Sequence, residues 1–152
     1  DLGAYPGGWS QVSSKIATNG KILSIDIKQM EPINKVKFIK CDIFDSKTKD
    51  KIIDFFQGKI DVIISDMAAD TTGNKSLDSI RTNQLCSKAL ESSTEMLKQE
   101  GVFVSKLFMG DDFITVKDLA KSLFKDVNFF KPQSSKTESK ETYIHCKILK
   151  TL

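Results

Sequence analysis

The sequence predicts a single α/β domain over residues 1–152, built on a mostly parallel sheet with helices on its faces. Short runs rich in Val and Ile alternate along the chain with segments whose apolar residues recur at helical spacing, which is typical of βαβ units. A glycine-rich turn opens the chain in the string DLGAYPGGWS, and such a turn normally follows a strand. Three apolar runs end in an aspartate. Because ligands of open α/β sheets bind at the carboxyl ends of the strands, we expect a site at that edge.

Six apolar runs are predicted strands, and they span residues 21–26, 36–42, 60–66, 101–107, 127–131 and 142–149. The third run is apolar almost throughout, as expected for a strand that is buried on both faces. Four segments have helical spacing, at residues 10–17, 46–56, 79–98 and 113–124, and Gly101 is expected to end the third helix. Since no strand leads into the glycine turn, we expect the first strand of the sheet to precede Asp1 and to be missing from this chain.

Composition excludes several classes of protein. With 39% hydrophobic and 28% charged residues, the 152-residue chain is typical of a globular domain. It contains no run of about 18 apolar residues, so we expect no membrane span. Its three cysteines form no CxxC pair and it has one histidine, which excludes a zinc set of standard spacing. The odd, scattered cysteines suggest a reducing compartment, and we expect a cytoplasmic protein, with an organellar location as the alternative.

The small positive charge is concentrated at one end of the sequence. The formal net charge is +3, and residues 1–124 contain 17 basic and 17 acidic residues. The last 28 residues hold six lysines against three acids, and the polar stretch KPQSSKTESK at 131–140 precedes Glu141. This excess is either an ordinary solvated segment or a rim that faces a polyanion, and its position beside a candidate site residue favours the rim.

The glycine turn is a candidate cofactor cradle. Gly3, Gly7 and Gly8 leave no side chain between backbone and ligand, and the helix that starts near Trp9 offers free N–H groups. The spacing is G-x-x-x-G-G, which disfavours the G-x-G-x-x-G turn of NAD(P) enzymes. No Walker lysine follows, which excludes a P-loop.

The strand-ending acids predict what such a cradle holds. Asp26 comes 18 residues after Gly8, at the place where an acid accepts the two hydroxyls of a ribose. Asp42 ends the next run, where a carboxylate can receive an adenine amino group, and Asp66 ends the third. A single strand-ending aspartate is commonly only a turn former or helix cap. Three of them on a sheet that opens with a glycine turn favour an adenosine pocket.

Lys106 is the second candidate for chemistry. It lies inside VFVSKLF, where a lysine is costly to desolvate unless it is paired. It is therefore either a functional group or half of a structural pair with Asp66. Glu141 opens the last predicted strand and could meet both from across the sheet end.

At these residues the chain resembles the FtsJ (RrmJ) type of ribosomal RNA 2′-O-methyltransferase. The matching strings are DLGAYPGGWSQ, SDMA, FVSKLF, KPQSSK and SKETYI, which run in family order to about Ile144. The resemblance implies a Rossmann-like methyltransferase fold with seven strands, the last antiparallel. It also implies S-adenosyl-L-methionine as methyl donor and the ribose 2′-OH of a large-subunit rRNA uridine as acceptor, with rRNA or the large ribosomal subunit as partner and no membrane involved. We expect a monomer.

Site roles also follow from the resemblance. Gly7, Trp9, Asp26, Asp42 and Asp66 match cofactor-contacting positions of the family. Three residues match members of its Lys-Asp-Lys-Glu catalytic set: Lys106 as the proposed proton acceptor, with Asp66 and Glu141. The family has the first lysine of that set upstream of the glycine turn. RNA contacts are expected from four basic side chains: Lys131, Lys136, Lys140 and Arg81.

Several alternatives stay open at this level. Lys106 either accepts the hydroxyl proton or stays charged and only orients the hydroxyl. A non-catalytic RNA-binding or ribosome-assembly module could keep the same fold. A metal-assisted site could recruit Asp66 and Asp70, although no third ligand stands out and we expect no metal.

Overall fold

The computed structural model describes residues 1–151, so Leu152, the last residue of the predicted domain, lies outside the described part of the chain. Helices and strands alternate as predicted. In chain order they are α1 (Gly8–Ile16), β1 (Ile22–Asp26), β2 (Val36–Lys40), α2 (Ser46–Phe56), β3 (Ile60–Ser65), α3 (Lys75–Met96), β4 (Leu97–Phe108), α4 (Phe113–Leu123), β5 (Phe124–Phe130) and β6 (Glu141–Leu149).

The strands form a mixed sheet in two groups. β1 and β2 pair in parallel, and the second group has the order β3-β4-β6-β5. β3 and β4 are parallel, whereas β6 runs antiparallel to both of its neighbours. The predicted α/β class is therefore confirmed. The expected count of seven strands is not confirmed, since residues 1–151 form six.

The two groups are joined by the start of the chain. Leu2 forms isolated parallel bridges to Ile25 and to Ser65. Its N–H donates to the Ile64 carbonyl at 2.8 Å, and the Asp66 N–H donates back to the Leu2 carbonyl at 3.3 Å. Away from this bridge, the space between β1 and β3 is a groove of about 510 Å³. The groove is one strand wide, since the single residue Leu2 pairs with both β1 and β3. Val62, which lines the groove, is 53% exposed.

The boundary between α3 and β4 differs from the prediction. β4 begins at Leu97, directly after the helix, so Gly101 lies inside the strand and does not end α3. The pairing with β3 steps from Ile60–Leu97 to Val62–Val102, which leaves extra residues of β4 bulged out. A Cβ on Gly101 would lie 2.9 Å from the Lys98 carbonyl oxygen, so the bulge explains the glycine.

The core fixes the middle of the sheet. Phe103 of β4 and Phe124 of β5 are fully buried, with ring centroids 6.4 Å apart. α3 packs on β4 through Ala89 and Leu90, which are also fully buried. The central strands are thus held rigidly, and the polar residues at their ends project from a packed layer.

Candidate active site

Lys106 lies between two carboxylates at the sheet edge. Its Nζ is 3.0 Å from Asp66 Oδ1 and 3.6 Å from Glu141 Oε2, and its side chain is only 15% exposed. Strand register explains the meeting. Ser65 at the end of β3 pairs with Ser105 of β4, so the residues that follow them, Asp66 and Lys106, are neighbours. Glu141 of β6 pairs with Phe108 on the other side of β4. The structure therefore brings together the three residues predicted to be catalytic.

Asp66 has one oxygen without a hydrogen bond among residues 1–151. Oδ1 is shielded from solvent, and the Lys106 ammonium approaches it outside the directional range of a hydrogen bond. The contact is therefore an ion pair alone. A buried carboxylate oxygen with free acceptor capacity is costly unless it receives a donor from elsewhere.

Tyr143 completes the cluster and was not predicted from the sequence. It lies opposite Lys106 in the β4–β6 register, and its hydroxyl donates to Glu141 Oε1 at 3.3 Å. Its ring packs between Trp9 and Phe130, each with a centroid 5.6 Å away. Burial raises the pKa of the Tyr143 phenol well above its usual value, and the negative charges of Asp66 and Glu141 add to the shift. The phenol therefore remains a hydrogen-bond donor at neutral pH.

The available sequence signal for Tyr143 was its spacing. It follows Glu141 by two residues in a strand, so both side chains lie on the same face of the sheet.

A cavity of about 520 Å³ lies beside this cluster. Its lining includes the three strand-ending acids Asp26, Asp42 and Asp66. Asp26 Oδ2 accepts the Tyr5 N–H at 2.9 Å and Oδ1 accepts the Lys28 N–H at 2.8 Å. Each oxygen is therefore oriented by the backbone and keeps a further lone pair for a ligand.

Asp42 is prepared in a similar way. Its Oδ1 accepts the Phe44 N–H at 2.9 Å, which closes a local turn and orients the carboxylate. Two strand ends thus present aspartates to one cavity of a size typical of small-molecule sites.

Four residues of the glycine turn were predicted to contact the cofactor, and only Gly3 of these four lines the cavity. Gly3 lines the cavity, whereas Gly7, Gly8 and Trp9 are not among its lining residues. Gly3 has φ +68°, and a Cβ there would lie 2.4 Å from Met67 Cγ. Gly7, at φ +121°, would place a Cβ 2.8 Å from Ile33 Cδ1. Both glycines are therefore required by backbone conformation and protein packing, and Trp9 is used against Tyr143.

The four basic residues predicted to bind RNA do not form one patch. Lys136 and Lys140 are exposed in the segment before β6. The Lys131 ammonium donates to the carbonyls of Thr137 and Ser139, so it closes this segment on itself. Arg81 belongs to α3 and lines the cofactor-sized cavity instead.

The lysine excess of the last 28 residues is also divided. Lys125 lies at the start of β5 and Lys147 near the end of β6, at the end of the sheet away from Glu141. Lys150 donates to the Lys121 carbonyl at 2.5 Å, at the same remote end. The expectation that the whole excess surrounds Glu141 is therefore wrong for these three lysines.

Other chemistries find little support in the described chain. Across residues 1–151 no three His, Cys, Asp or Glu side chains are grouped so that they could hold a metal ion. Cys86 and Cys146 are buried, and burial raises the pKa of their thiols to about 11 and about 12. Both thiols are thus protonated and poorly nucleophilic at neutral pH. None of the helices in this part of the chain has the length and hydropathy needed to cross a membrane.

Comparison with known proteins gives a consistent result. A family model described as FtsJ-like methyltransferase matches residues 1–149. The ribosomal RNA large subunit methyltransferase E of Pelagibacter ubique is 49% identical over 150 residues, which cover 99% of this chain and 74% of that protein. The protein of the same name from Rickettsia akari is 45% identical, with 95% of this chain and 66% of that protein covered.

A solved structure agrees in fold. The crystal structure of a provisionally assigned ribosomal RNA methyltransferase from Plasmodium falciparum superposes with a TM-score of 0.85 at 31% identity. The match covers 98% of this chain and 84% of that one.

Proposed function

The chain belongs to the FtsJ-like methyltransferase family, and on that premise we propose that it transfers a methyl group from S-adenosylmethionine to the ribose 2′-OH of a uridine in large-subunit ribosomal RNA. The observation that carries the proposal is the cluster of Lys106, Asp66 and Glu141 at the edge of the adenosine-sized cavity. These residues correspond to three of the four members of the catalytic set implied by the family resemblance, and they lie beside the cavity.

The residues of the cavity fit the proposed cofactor. Asp26 offers two oriented carboxylate oxygens to the ribose hydroxyls, and Asp42 offers an acceptor to an adenine amino group. When bound, S-adenosylmethionine supplies an electrophilic methyl group on a sulfonium.

The acceptor side depends on positioning. Methyl transfer is an in-line displacement in which the C–S bond breaks as the C–O bond forms, so alignment supplies much of the acceleration. An ammonium held between two carboxylates donates hydrogen bonds, and we assign Lys106 to orient the ribose oxygen. We assign the Asp66 carboxylate, which lies beside Lys106, as the acceptor for the hydroxyl proton that the reaction releases.

An assay with the purified protein tests this function. We expect radiolabel from methyl-labelled S-adenosylmethionine to enter large-subunit rRNA, presented either as free RNA or as assembled subunits. Nuclease digestion and mass spectrometry should then yield 2′-O-methyluridine. Methyl groups found on a base would contradict the proposed acceptor. Binding of the cofactor without transfer to either substrate would favour a non-catalytic RNA-binding module.

We further propose that Lys136 and Lys140 contact phosphates of the RNA. Both are exposed in the segment that leads into Glu141, the residue of the catalytic cluster at the start of β6. Exchanging both for Glu should weaken RNA binding and lower the slope of log K against log salt by about 0.7–0.9 per lost phosphate contact. Fluorescence titrations of an RNA fragment at several salt concentrations measure this slope.

Lys125→Glu with Lys147→Glu is the matched control. It changes the charge equally, at two exposed lysines of β5 and β6, yet Lys147 lies seven residues from Lys140, roughly 24 Å along β6. An equal loss of slope in both double variants would show that RNA responds only to net charge.

We also infer that a seventh strand fits between β1 and β3. The supporting observation is the groove of one strand's width, with parallel neighbours on both sides and Leu2 already paired to each. Such a strand would run parallel to both and lead into the glycine turn.

A further inference from the structure

Two neighbouring polar residues are buried in the middle of α3. Thr82 is 1% exposed and Asn83 is 0% exposed. Thr82 Oγ1 accepts the N–H of Ala69, three residues after Asp66, at 3.1 Å. Asn83 reaches the end of β4, two residues after Lys106, and bonds to Phe108 there. One helix thus holds the two chain segments that carry the ion pair.

The hydrogen bonds of Asn83 take the place of strand pairing at the end of β4, beyond the point where β3 stops. Its Oδ1 accepts the Phe108 N–H at 2.8 Å, and its Nδ2 donates to the Phe108 carbonyl at 2.9 Å. Phe108 needs this partner because β3 ends at Ser65, opposite Ser105. The next residue, Met109, donates its N–H to Lys140 on the β6 side, so the N–H of Phe108 faces the opposite edge. The side-chain amide therefore continues the ladder beyond the end of β3.

A third bond connects this site to α4. The second hydrogen of Asn83 Nδ2 is donated to Asp112 Oδ1 at 2.9 Å. Asp112 is the N-cap residue of α4, and its carboxylate makes no cap bond to that helix. Asn83 therefore uses both of its donors and ties α3, β4 and the start of α4 together at one point.

We propose that Asn83, assisted by Thr82, is a positioning residue that sets the geometry of Lys106 relative to Asp66 for methyl transfer. The proposal rests on the transfer function proposed above. The pairing of β3 with β4 ends at Ser65 and Ser105, and a crevice lies just beyond this point, where Lys106 and Asp66 face each other. Thr82 fixes one wall of this crevice and Asn83 the other, so the 3.0 Å separation of the ion pair depends on α3.

Asn83→Leu removes the three bonds and keeps a side chain of similar size. We expect kcat for rRNA methylation to fall at least tenfold, because misplacement by a fraction of an ångström is costly in a reaction that depends on alignment. The dissociation constant of S-adenosylmethionine, measured by calorimetry, should change less than twofold. The matched control is Ser93→Ala on the same helix, which is equally buried and loses one bond, to the Leu90 carbonyl at 2.7 Å, far along α3 from the crevice.

A double-mutant cycle separates positioning from general destabilisation. If Asn83 acts through Lys106, Asn83→Leu should reduce the residual rate of a Lys106→Met protein by less than twofold. A second variant pair keeps the test valid if the Leu variant does not fold. Asn83→Asp places a carboxylate against that of Asp112 and should be strongly impaired, and adding Asp112→Asn should restore at least part of kcat.

The chemical reactivity of Lys106 gives a readout that does not depend on enzymatic methylation of rRNA. Reductive methylation with formaldehyde and a borane, followed by peptide mass spectrometry, should label Lys106 several times faster in Asn83→Leu than in the wild type or in Ser93→Ala. An unchanged labelling rate together with unchanged kcat would overturn the proposal. A wild-type protein without methylation activity would instead refute the proposed function, and the labelling rates would still decide whether Asn83 positions Lys106.

Discussion

Replacing Lys106 with Met is expected to lower the rate of rRNA methylation by about 10²–10⁴-fold, the range for losing a group that assists proton transfer or orients the reacting atom. Met keeps an unbranched stem of similar length, so the packing of the largely buried side chain is retained while the ammonium is lost. Single-turnover methylation of rRNA with saturating cofactor measures the chemical step directly.

Binding of the cofactor should survive this substitution. Lys106 is not among the residues that line the cavity, and Asp26 and Asp42 keep their hydrogen bonds to the backbone. The dissociation constant of S-adenosylmethionine should therefore stay within a few-fold of the wild-type value. Removing the ammonium leaves Asp66 and Glu141 without their shared counter-ion, so a modest decrease in thermal stability is also expected.

Lys98→Met is the control for Lys106→Met. Lys98 lies on the same strand, β4, and pairs with Asp61 at 2.7 Å, but its side chain is exposed. An exposed ion pair contributes little, and activity should be unchanged. Full activity in Lys106→Met would exclude the lysine from the transfer step, and loss of cofactor binding in that variant would make it a structural residue.

The ends of the strands were predictable because their chemistry is local. An apolar run that ends at Asp26 or at Asp66 predicts both a strand and an acid at its carboxyl end. Because the strands are parallel, these acids lie at one edge of the sheet. That Glu141 could meet Lys106 from across the sheet end also followed from its place at the start of the last predicted strand. The distance between the two side chains did not, since it depends on the register between β4 and β6, which no local pattern specifies.

The supporting residues were not predictable for a related reason. Asn83 lies in a long helix where an asparagine suggests an exposed position, and its role appears only when β4 is seen to extend beyond the end of β3. Lys131 is the opposite case. Its charge and its place in KPQSSK favoured an RNA contact, yet its ammonium closes the segment on carbonyls that sequence alone could not locate.

Replacing Asp26 with Ala is expected to weaken binding of S-adenosylmethionine by about 10²–10⁴-fold. The carboxylate is proposed to accept both ribose hydroxyls, and hydrogen bonds to a charged group contribute about 1.5–3 kcal/mol each. The stability of the ligand-free protein should fall only slightly. Asp26 accepts hydrogen bonds from the N–H groups of Tyr5 and Lys28, and both are at exposed positions where water can replace the carboxylate. Isothermal titration calorimetry gives the affinity, and thermal unfolding without ligand gives the stability.

A large loss of affinity together with a small loss of stability would identify Asp26 as a ligand-binding residue. Asp61→Ala is the control, an equal change of charge on an exposed aspartate of β3 that pairs with Lys98. It should leave the affinity unchanged. At cofactor concentrations far above the weakened dissociation constant, Asp26→Ala should recover most of the wild-type turnover, since the Lys106 cluster is intact. A turnover that stays low at saturation would place Asp26 in the alignment of the methyl group as well, and an unchanged affinity would remove it from the cofactor site.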